Sequence, residues 1–255
     1  MKKIIILIVI SLVMLSLSAE TSIWSKGTTD VLPQGRWEVG IFQPLSYGLN
    51  ETTELSTYAL ADLVMPNITL KKFWKNLDGL EFTSKHSFIY PSLFLNVMAK
   101  EGAFGILPDN SVIPHIFVLN NQFMLSYKYN EYLNFIPKIG FSAALVIGDS
   151  DFPTIDMPIV YNRTSIYHEN IMFNIGLDVR GSVSSKFEYL VDIDKFIMDK
   201  EYCEYSYEHK LLLIWKINRK FALSAGYKLS YSDYPSTMQR RTDFIPLIDL
   251  QVGFK

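Results

Sequence analysis

The chain has 255 residues, of which 49% are hydrophobic and 14% aromatic, with 24 basic residues against 26 acidic ones. The formal charge of −2 excludes the basic face that nucleic-acid binding requires, so we expect no nucleic-acid partner. The single cysteine, Cys203, excludes an internal disulfide, and no motif points to a cofactor or a metal, so none is expected.

Residues 1–19 have the pattern of a secretory signal peptide. Two lysines precede an apolar run from Ile4 to Leu17, and small residues follow it. The run is shorter than the roughly 20 apolar residues of a membrane-spanning helix. We therefore expect cleavage near residue 19, and one domain over residues 20–255. A mature chain that crosses a membrane without another long apolar segment must do so as a closed barrel.

The first half of the mature chain predicts strands interrupted by one helix. The predicted strands are residues 37–41, 55–61, 68–75, 80–90, 113–119 and 123–129. Asp78-Gly79 is a typical hairpin turn between the third and fourth of these. Residues 91–102 predict a short helix, because Pro91 suits a first turn and Gly102 suits the position after an end.

From Leu133 onward, apolar residues alternate with polar or small ones. Successive side chains of a strand point to opposite faces, so this alternation predicts two-faced strands. The predicted strands are residues 133–148, 170–180, 186–194, 205–217, 221–232 and 244–254. Most of these runs exceed the roughly 5–6 residues of an average strand. They are long enough for a tilted membrane strand, which needs about 9–11 residues.

The connections in this half alternate between short and long, and aromatic residues cluster near the strand ends. Residues 149–169, 198–204 and 233–242 predict the long loops, whereas the turns between them are tight. Short turns at one end, long loops at the other and aromatic girdles at both are typical of outer-membrane barrels.

The last strand has an apolar face that runs to Phe254, and Lys255 follows it. Here the sequence resembles bacterial outer-membrane β-barrel proteins, whose terminal strand typically closes on an aromatic residue read by the insertion machinery. In those proteins the aromatic residue is usually the last one. The resemblance is a generic pattern over most of the mature chain and names no functional family.

This resemblance implies an all-β fold, a transmembrane antiparallel up-and-down barrel with one short helical insert near residues 91–102. Bacterial single-chain barrels have even strand numbers, so we expect about 12 strands, with about 10 as the alternative. The implied location is the outer membrane of a Gram-negative-type bacterium after signal-peptide cleavage. The implied partners are outer-membrane lipid and the barrel-insertion machinery.

The two strand faces predict which side chains line the lumen and which contact lipid. The lumen-facing candidates are charged: Lys138, Asp178, Arg180, Lys186, Glu188, Asp192, Asp194, Glu208, Lys210, Lys216, Lys228 and Asp249. The lipid-facing candidates are apolar or aromatic: Phe141, Phe173, Leu177, Leu211, Leu213, Trp215, Leu223, Tyr227, Leu250, Val252 and Phe254. Charges of both signs predict either weak ion selectivity or cross-strand pairs that fill the lumen.

Two groups of residues carry an enzymatic alternative. Ser84 and His86 share a strand face, as some outer-membrane lipid hydrolases pair Ser and His near the lipid boundary. A nucleophile also needs a base that a third group orients, and the sequence identifies none. Asp149, Asp151 and Asp156 with His168 lie in one predicted loop, where a peptide hydrolase could use them, but the pattern favours a solvated loop.

Three function classes follow. The leading interpretation is a narrow channel or small-solute transporter, in which residues 91–121 restrict the barrel interior or its mouth. The alternative is a structural or adhesive membrane barrel with a filled lumen. An outer-membrane lipid or peptide hydrolase is the third, and the sequence favours a barrel that is not an enzyme.

Overall fold

The computed structural model describes residues 24–100, 110–151, 171–198, 205–234 and 239–255, and the predicted signal peptide lies outside them. Twelve antiparallel strands form a closed barrel in which each strand pairs with its sequence neighbours and β1 pairs with β12. The strands are β1 Trp37–Gly40, β2 Leu45–Asn50, β3 Thr53–Thr57, β4 Asn67–Leu77, β5 Leu80–Ile89, β6 His115–Asn130, β7 Leu133–Ile147, β8 Ile171–Ser182, β9 Phe187–Ile197, β10 Tyr205–Lys216, β11 Phe221–Tyr234 and β12 Gln239–Phe254. The described residues contain one helix, α1, which spans Ser92–Met98.

The predicted fold class is confirmed, but three strands differ from their predicted form. The strand predicted over residues 55–61 is β3, which ends at Thr57. The structure adds β2, where Leu45, Tyr47 and Leu49 alternate over too short a run after Pro44 to be recognised. It also joins the predicted strands 113–119 and 123–129 into the continuous strand β6. The sequence suggested a break there because polar residues occupy positions 120–122 on both strand faces.

The connections separate the barrel into two ends. Turns of residues 51–52, 78–79, 131–132, 183–186 and 217–220 lie at one end, together with the start of β1 and the end of β12. We call this the short-turn end and the opposite one the long-loop end. Asp78 and Gly79 both have positive φ, 49° and 88°, as a tight hairpin requires. The predicted loop 233–242 is shorter than expected, because β11 continues to Tyr234 and β12 begins at Gln239.

Helix α1 packs into the mouth of the barrel at the long-loop end. Leu95 is fully buried, and the backbone N–H of Ile116 donates to Ser92 Oγ at 2.8 Å. The apolar cluster around the helix, here called the mouth cluster, consists of Ala61, Met65, Ile89, Leu95, Met98, Ile116, Val118, Ala144 and Met172. The predicted helical insert is therefore present, and it covers part of one opening. No helix in the described ranges is long and apolar enough to cross a membrane.

Residues 24–36, here called the inner segment, lie inside the barrel toward the short-turn end. Thr83 Oγ1 donates to the Thr29 carbonyl at 2.8 Å, and Lys71 Nζ donates to the Ser25 carbonyl at 3.0 Å. The backbone N–H of Leu32 donates to a Glu54 carboxylate oxygen at 3.0 Å. These contacts come from three strands, so the inner segment is anchored around the wall.

The inner segment approaches β2 so closely that only glycine fits there. A Cβ at Gly48 would lie 2.2 Å from the Pro33 carbonyl oxygen. Backbone hydrogen bonds run from Gly35 N–H to the Gly48 carbonyl and from Gly48 N–H to the Arg36 carbonyl, at 2.8 and 2.9 Å. The segment thus enters the barrel over β2, which explains why this short strand carries a glycine.

Candidate functional site in the lumen

A network of opposite charges crosses β7, β8 and β9 inside the barrel. Lys138 Nζ lies 2.6 Å from Asp178 Oδ1, 2.5 Å from Asp192 Oδ1 and 2.9 Å from Asp194 Oδ2. Lys210 from β10 also donates to Asp192. The register places these groups together, since Asp192 is opposite both Asp178 and Lys210. A buried cation surrounded by carboxylates stabilises a structure only when every member keeps its partners.

The network depends on the absence of a side chain at Gly176. A Cβ there would lie 2.1 Å from Asp194 Oδ1 and 2.6 Å from Lys138 Cε. Lys138 therefore reaches its carboxylates through space that Gly176 leaves open. This is a close approach between side chains, and the position needs no unusual backbone angle.

A second network lies nearer the short-turn end. Glu188 accepts from Arg180 Nη2 at 2.5 Å and from Lys216 Nζ at 2.6 Å. Arg180 also donates to the Lys26 carbonyl of the inner segment. One arginine therefore connects the barrel wall to the inner segment.

Between the inner segment and the mouth cluster lies a polar cavity of about 310 Å³. Ser25 and Gly27 of the inner segment form one boundary, and Met172 of the mouth cluster forms part of the other. Amides and hydroxyls such as Asn174 and Ser224 contribute to its wall. Its size suits a small solute rather than a chain or a large ligand.

Two lysines on the wall of this cavity differ from the paired ones. Within the part of the chain that the structure describes, Lys85 makes no hydrogen bond or ion pair. The ammonium group of Lys26 lies 5.6 Å from the ring centroid of Tyr58, a cation–π contact. Burial, together with the nearby charge of Lys210, lowers the pKa of Lys26 to about 8. Both ammonium groups can therefore attract an anionic group in the cavity.

The structure separates the sequence-predicted residues into two sets. Lys138, Asp178, Arg180, Glu188, Lys228 and Asp249 are buried inside the barrel, and Asp192, Asp194, Glu208, Lys210 and Lys216 are half-buried there. Phe141, Phe173, Leu177, Leu213, Trp215, Leu250 and Phe254 are exposed on the outside, and Leu211, Leu223, Tyr227 and Val252 are half-exposed. Their contact with solute or lipid stays a prediction.

Lys186 is the exception among the lumen candidates. It is exposed in the turn between β8 and β9, because β9 begins only at Phe187 and the alternation does not extend into the turn. Asp156, His168 and Cys203 lie outside the described residues, so the predicted acidic loop is described only as far as Asp151. No group of three potential ligands among His, Cys, Asp and Glu gathers in the described ranges to hold a metal ion.

The outer face of the barrel carries a cluster of three polar side chains, of which the sequence predicted two. Ser84 Oγ lies 2.9 Å from His86 Nε2, as their shared strand face predicts. The third group, which the sequence did not reveal, is Asn121 of β6, whose Oδ1 lies 2.8 Å from His86 Nδ1. His86 and Asn121 are direct partners in the register of β5 and β6. Only the pairing of the two strands could have indicated this contact.

No family model matches the sequence, and no curated protein matches it. Solved structures similar to the chain include the outer membrane channel DcaP of Acinetobacter baumannii, at TM-score 0.43 and 8% identity over 85% of this chain and 62% of that one. OccAB3 of the same species gives 0.41 and 14%, over 83% and 54%. A FadL homologue of Pseudomonas aeruginosa gives 0.41 and 10%, over 86% and 67%. The chain thus spans about 62% of the length of the first.

At these identities and scores, the assignment of the fold rests on the strand pairing of the chain itself. That pairing defines a closed antiparallel barrel of twelve strands. Its lumen contains charge networks, a central polar cavity and an inner segment anchored to the wall. The class of protein is therefore a closed antiparallel β-barrel.

Proposed function

We propose that the protein spans the outer membrane of a Gram-negative-type bacterium and forms a narrow, gated path for small solutes that carry an anionic group. The observation that carries the proposal is the central polar cavity of about 310 Å³, lined by two lysines, Lys26 and Lys85, that have no carboxylate partner among the described residues. The inner segment closes the cavity toward the short-turn end and would be the gate.

The outer surface supports the membrane location. Side chains such as Ile139, Leu213 and Ile248 are 59%, 61% and 66% exposed in the middle of long strands. Monomeric soluble proteins rarely expose an apolar surface that continues around the molecule, whereas a barrel in lipid requires one. The contrast with the charged interior is the arrangement expected of a membrane barrel rather than of a water-soluble one.

Aromatic contacts near both ends of the barrel agree with this placement. At the short-turn end, Trp37 stacks on Phe254 at 6.4 Å and Phe187 on Trp215 at 5.8 Å between ring centroids. At the long-loop end, the rings of Tyr90 and Phe117 stack at 5.0 Å. Aromatic side chains prefer the level of the lipid headgroups, so these pairs suit the two girdles of a membrane barrel.

The chemistry of the solute follows from which charges in the cavity are already paired. Lys138 and Lys210 are held by carboxylates, so they are not free to bind a solute. Glu54 accepts from the inner segment, and Asp249 accepts from the backbone N–H groups of Ile41 and Phe42. The ammonium groups of Lys26 and Lys85 therefore favour a carboxylate or another small anion.

Planar-bilayer conductance of the purified, refolded protein tests the gate. Lys71 anchors the inner segment at Ser25 and Asp30, whereas its neighbour Lys72 faces outward and donates to Thr52 at 2.8 Å. We expect low conductance in the wild type, a several-fold increase in Lys71→Met, a larger increase on deletion of residues 24–33, and no change in Lys72→Met. Heat-modifiable gel mobility reports whether each variant has folded.

Selectivity tests the solute class. In the variant with the deleted segment, Lys85→Met should shift the reversal potential in a salt gradient toward cations. Lys75→Met removes the same charge from an exposed position near the turn at residues 78–79 and should have little effect. If folded variants without the inner segment conduct no more than the wild type, the filled-lumen barrel is the correct interpretation.

A further inference from the structure

A chain of hydrogen bonds on the outer face of β4, β5 and β6 connects a serine, a histidine and an asparagine. Trp74 Nε1–H donates to Ser84 Oγ at 2.8 Å. Ser84 Oγ and His86 Nε2 are 2.9 Å apart, and His86 Nδ1 and Asn121 Oδ1 are 2.8 Å apart. Each side chain therefore contacts the next at normal hydrogen-bond length.

The order of these contacts selects the tautomer of the neutral imidazole. The amide oxygen of Asn121 can only accept, so His86 Nδ1 carries a proton and donates to it. In the neutral ring, Nε2 is then the nitrogen without a proton, and it accepts from the Ser84 hydroxyl. A nucleophile bonded to a base, with the base oriented by a third group, is the arrangement that activates serine in acyl transfer.

The surroundings of these residues are largely apolar, and Lys72 of β4, directly opposite Ser84 in the register, is a charged neighbour that donates to Thr52. Lys85 lines the lumen cavity and side chains alternate along a strand, so Ser84 and His86 point to the outside. Asn121 also borders the cavity, but its side-chain Oδ1 bonds to His86 on the outer face. There the ring of Phe123 meets the His86 ring edge-on at 6.1 Å, and Phe82 and Phe88 are exposed on either side along β5. Polar groups on a lipid-facing surface are unfavourable and mark function by default.

We propose that Ser84 and His86 are catalytic residues, and Asn121 a positioning residue, of a site that hydrolyses acyl esters presented from the lipid phase. The proposal does not depend on the gated path in the lumen, because the site lies on the opposite face of the wall. Its substrate is an ester with a long acyl chain, since the exposed phenylalanine rings around the site accommodate hydrocarbon.

The reaction has two balanced steps. Ser84 Oγ bonds to the ester carbonyl carbon while its proton moves to His86 Nε2; the carbon–oxygen bond of the ester then breaks, and the alcohol leaves with that proton. Water next attacks the acyl-serine and gives a proton to Nε2. The fatty acid departs, and Ser84 regains its hydroxyl proton from the histidine. Water is the only co-reactant.

Trp74 controls access to the serine. Ser84 is completely buried, whereas Trp74 is 60% exposed and lies at the register shift between Phe73 and Lys75. A bulged residue is released from the regular strand pairing and can re-aim its side chain. A substrate must displace this indole and break the hydrogen bond from its N–H to Ser84 Oγ. Trp74 thus covers the site.

A serine-directed fluorophosphonate probe tests the site in the full-length protein folded in detergent micelles. We expect the adduct to map to Ser84 by peptide mass spectrometry, and labelling to be faster in Trp74→Phe, where the indole donor is lost. Ser84→Ala should abolish labelling. Ser126→Ala is the matched control, since Ser126 is equally buried but bonds to Asn134 at 2.9 Å inside the barrel.

Hydrolysis of a long-chain p-nitrophenyl ester separates the roles of the three residues. We expect His86→Ala to lower kcat by about a hundredfold or more. Asn121→Leu should lower kcat with little change in KM and alter the pH profile, while Asn121→Asp should restore activity. If the wild type and Trp74→Phe both fold yet neither labels at Ser84 nor hydrolyses the ester, the three residues form a structural hydrogen-bond cluster only, and the proposal is wrong.

Discussion

Replacing Lys138 with methionine probes the charge network at the centre of the barrel wall. The ammonium group lies within 2.9 Å of three carboxylates, and its side chain is only 5% exposed. With an effective dielectric constant of about 20, two unit charges about 3 Å apart attract by about 5–6 kcal/mol before desolvation is subtracted. Removing the one cation that all three share leaves buried carboxylates facing each other.

We therefore expect Lys138→Met to lower the free energy of unfolding by about 3–5 kcal/mol, the range for breaking a buried ion pair from one side. Lys210→Met is the matched comparison. The Lys210 side chain is 27% exposed, and its partner Asp192 still forms an ion pair with Lys138 when Lys210 is removed. It should lose only about 1–2 kcal/mol. Adding Asp194→Asn to Lys138→Met should recover part of the loss, since it removes one of the opposed charges.

The assay is urea unfolding in phospholipid vesicles, followed by tryptophan fluorescence and gel mobility. Equal losses for the two lysine variants would refute the reasoning, because the number of shared carboxylates would then have no effect on stability. A Lys138→Met variant as stable as the wild type would show that the carboxylates are solvated or protonated rather than held by the lysine.

Three further expectations follow from particular positions. Leu213→Lys should cost about 2–4 kcal/mol of unfolding free energy in vesicles, whereas Leu77→Lys, beside a turn, should cost about 0–1; equal costs would contradict the membrane placement. Gly176→Ala should lower the free energy of unfolding by about 1–3 kcal/mol in the same assay, since its Cβ would lie 2.1 Å from Asp194 Oδ1. An unchanged free energy of unfolding would mean that the charge network shifts to accommodate the methyl group. The pKa of Lys26 is lowered from 10.5 to about 8, so between these pH values the unfolded chain binds more protons than the folded one, and the free energy of unfolding should rise with pH. Lys26→Met should remove this rise. An unchanged pH dependence in the variant would rule Lys26 out as its cause.

The sequence alone determined the strands from Leu133 onward, because alternation is a local property of the chain. Phe141 and Phe173, for example, fall on the same predicted face and are direct partners in the structure. The tight turn at Asp78-Gly79 and the helix after Pro91 were also readable, since their residues carry the required conformations. Signal-peptide cleavage remains a prediction from the same kind of local pattern.

Only the tertiary structure decided how distant segments meet. The inner segment lies in the lumen because Glu54, Thr83 and Arg180, on three different strands, supply its partners, and no local pattern records such contacts. The polar stretch at Asn121 suggested a break in a strand. The register of β5 and β6 places it instead against His86, 35 residues away in sequence, because pairing across strands depends on the closed barrel and not on the composition of either segment.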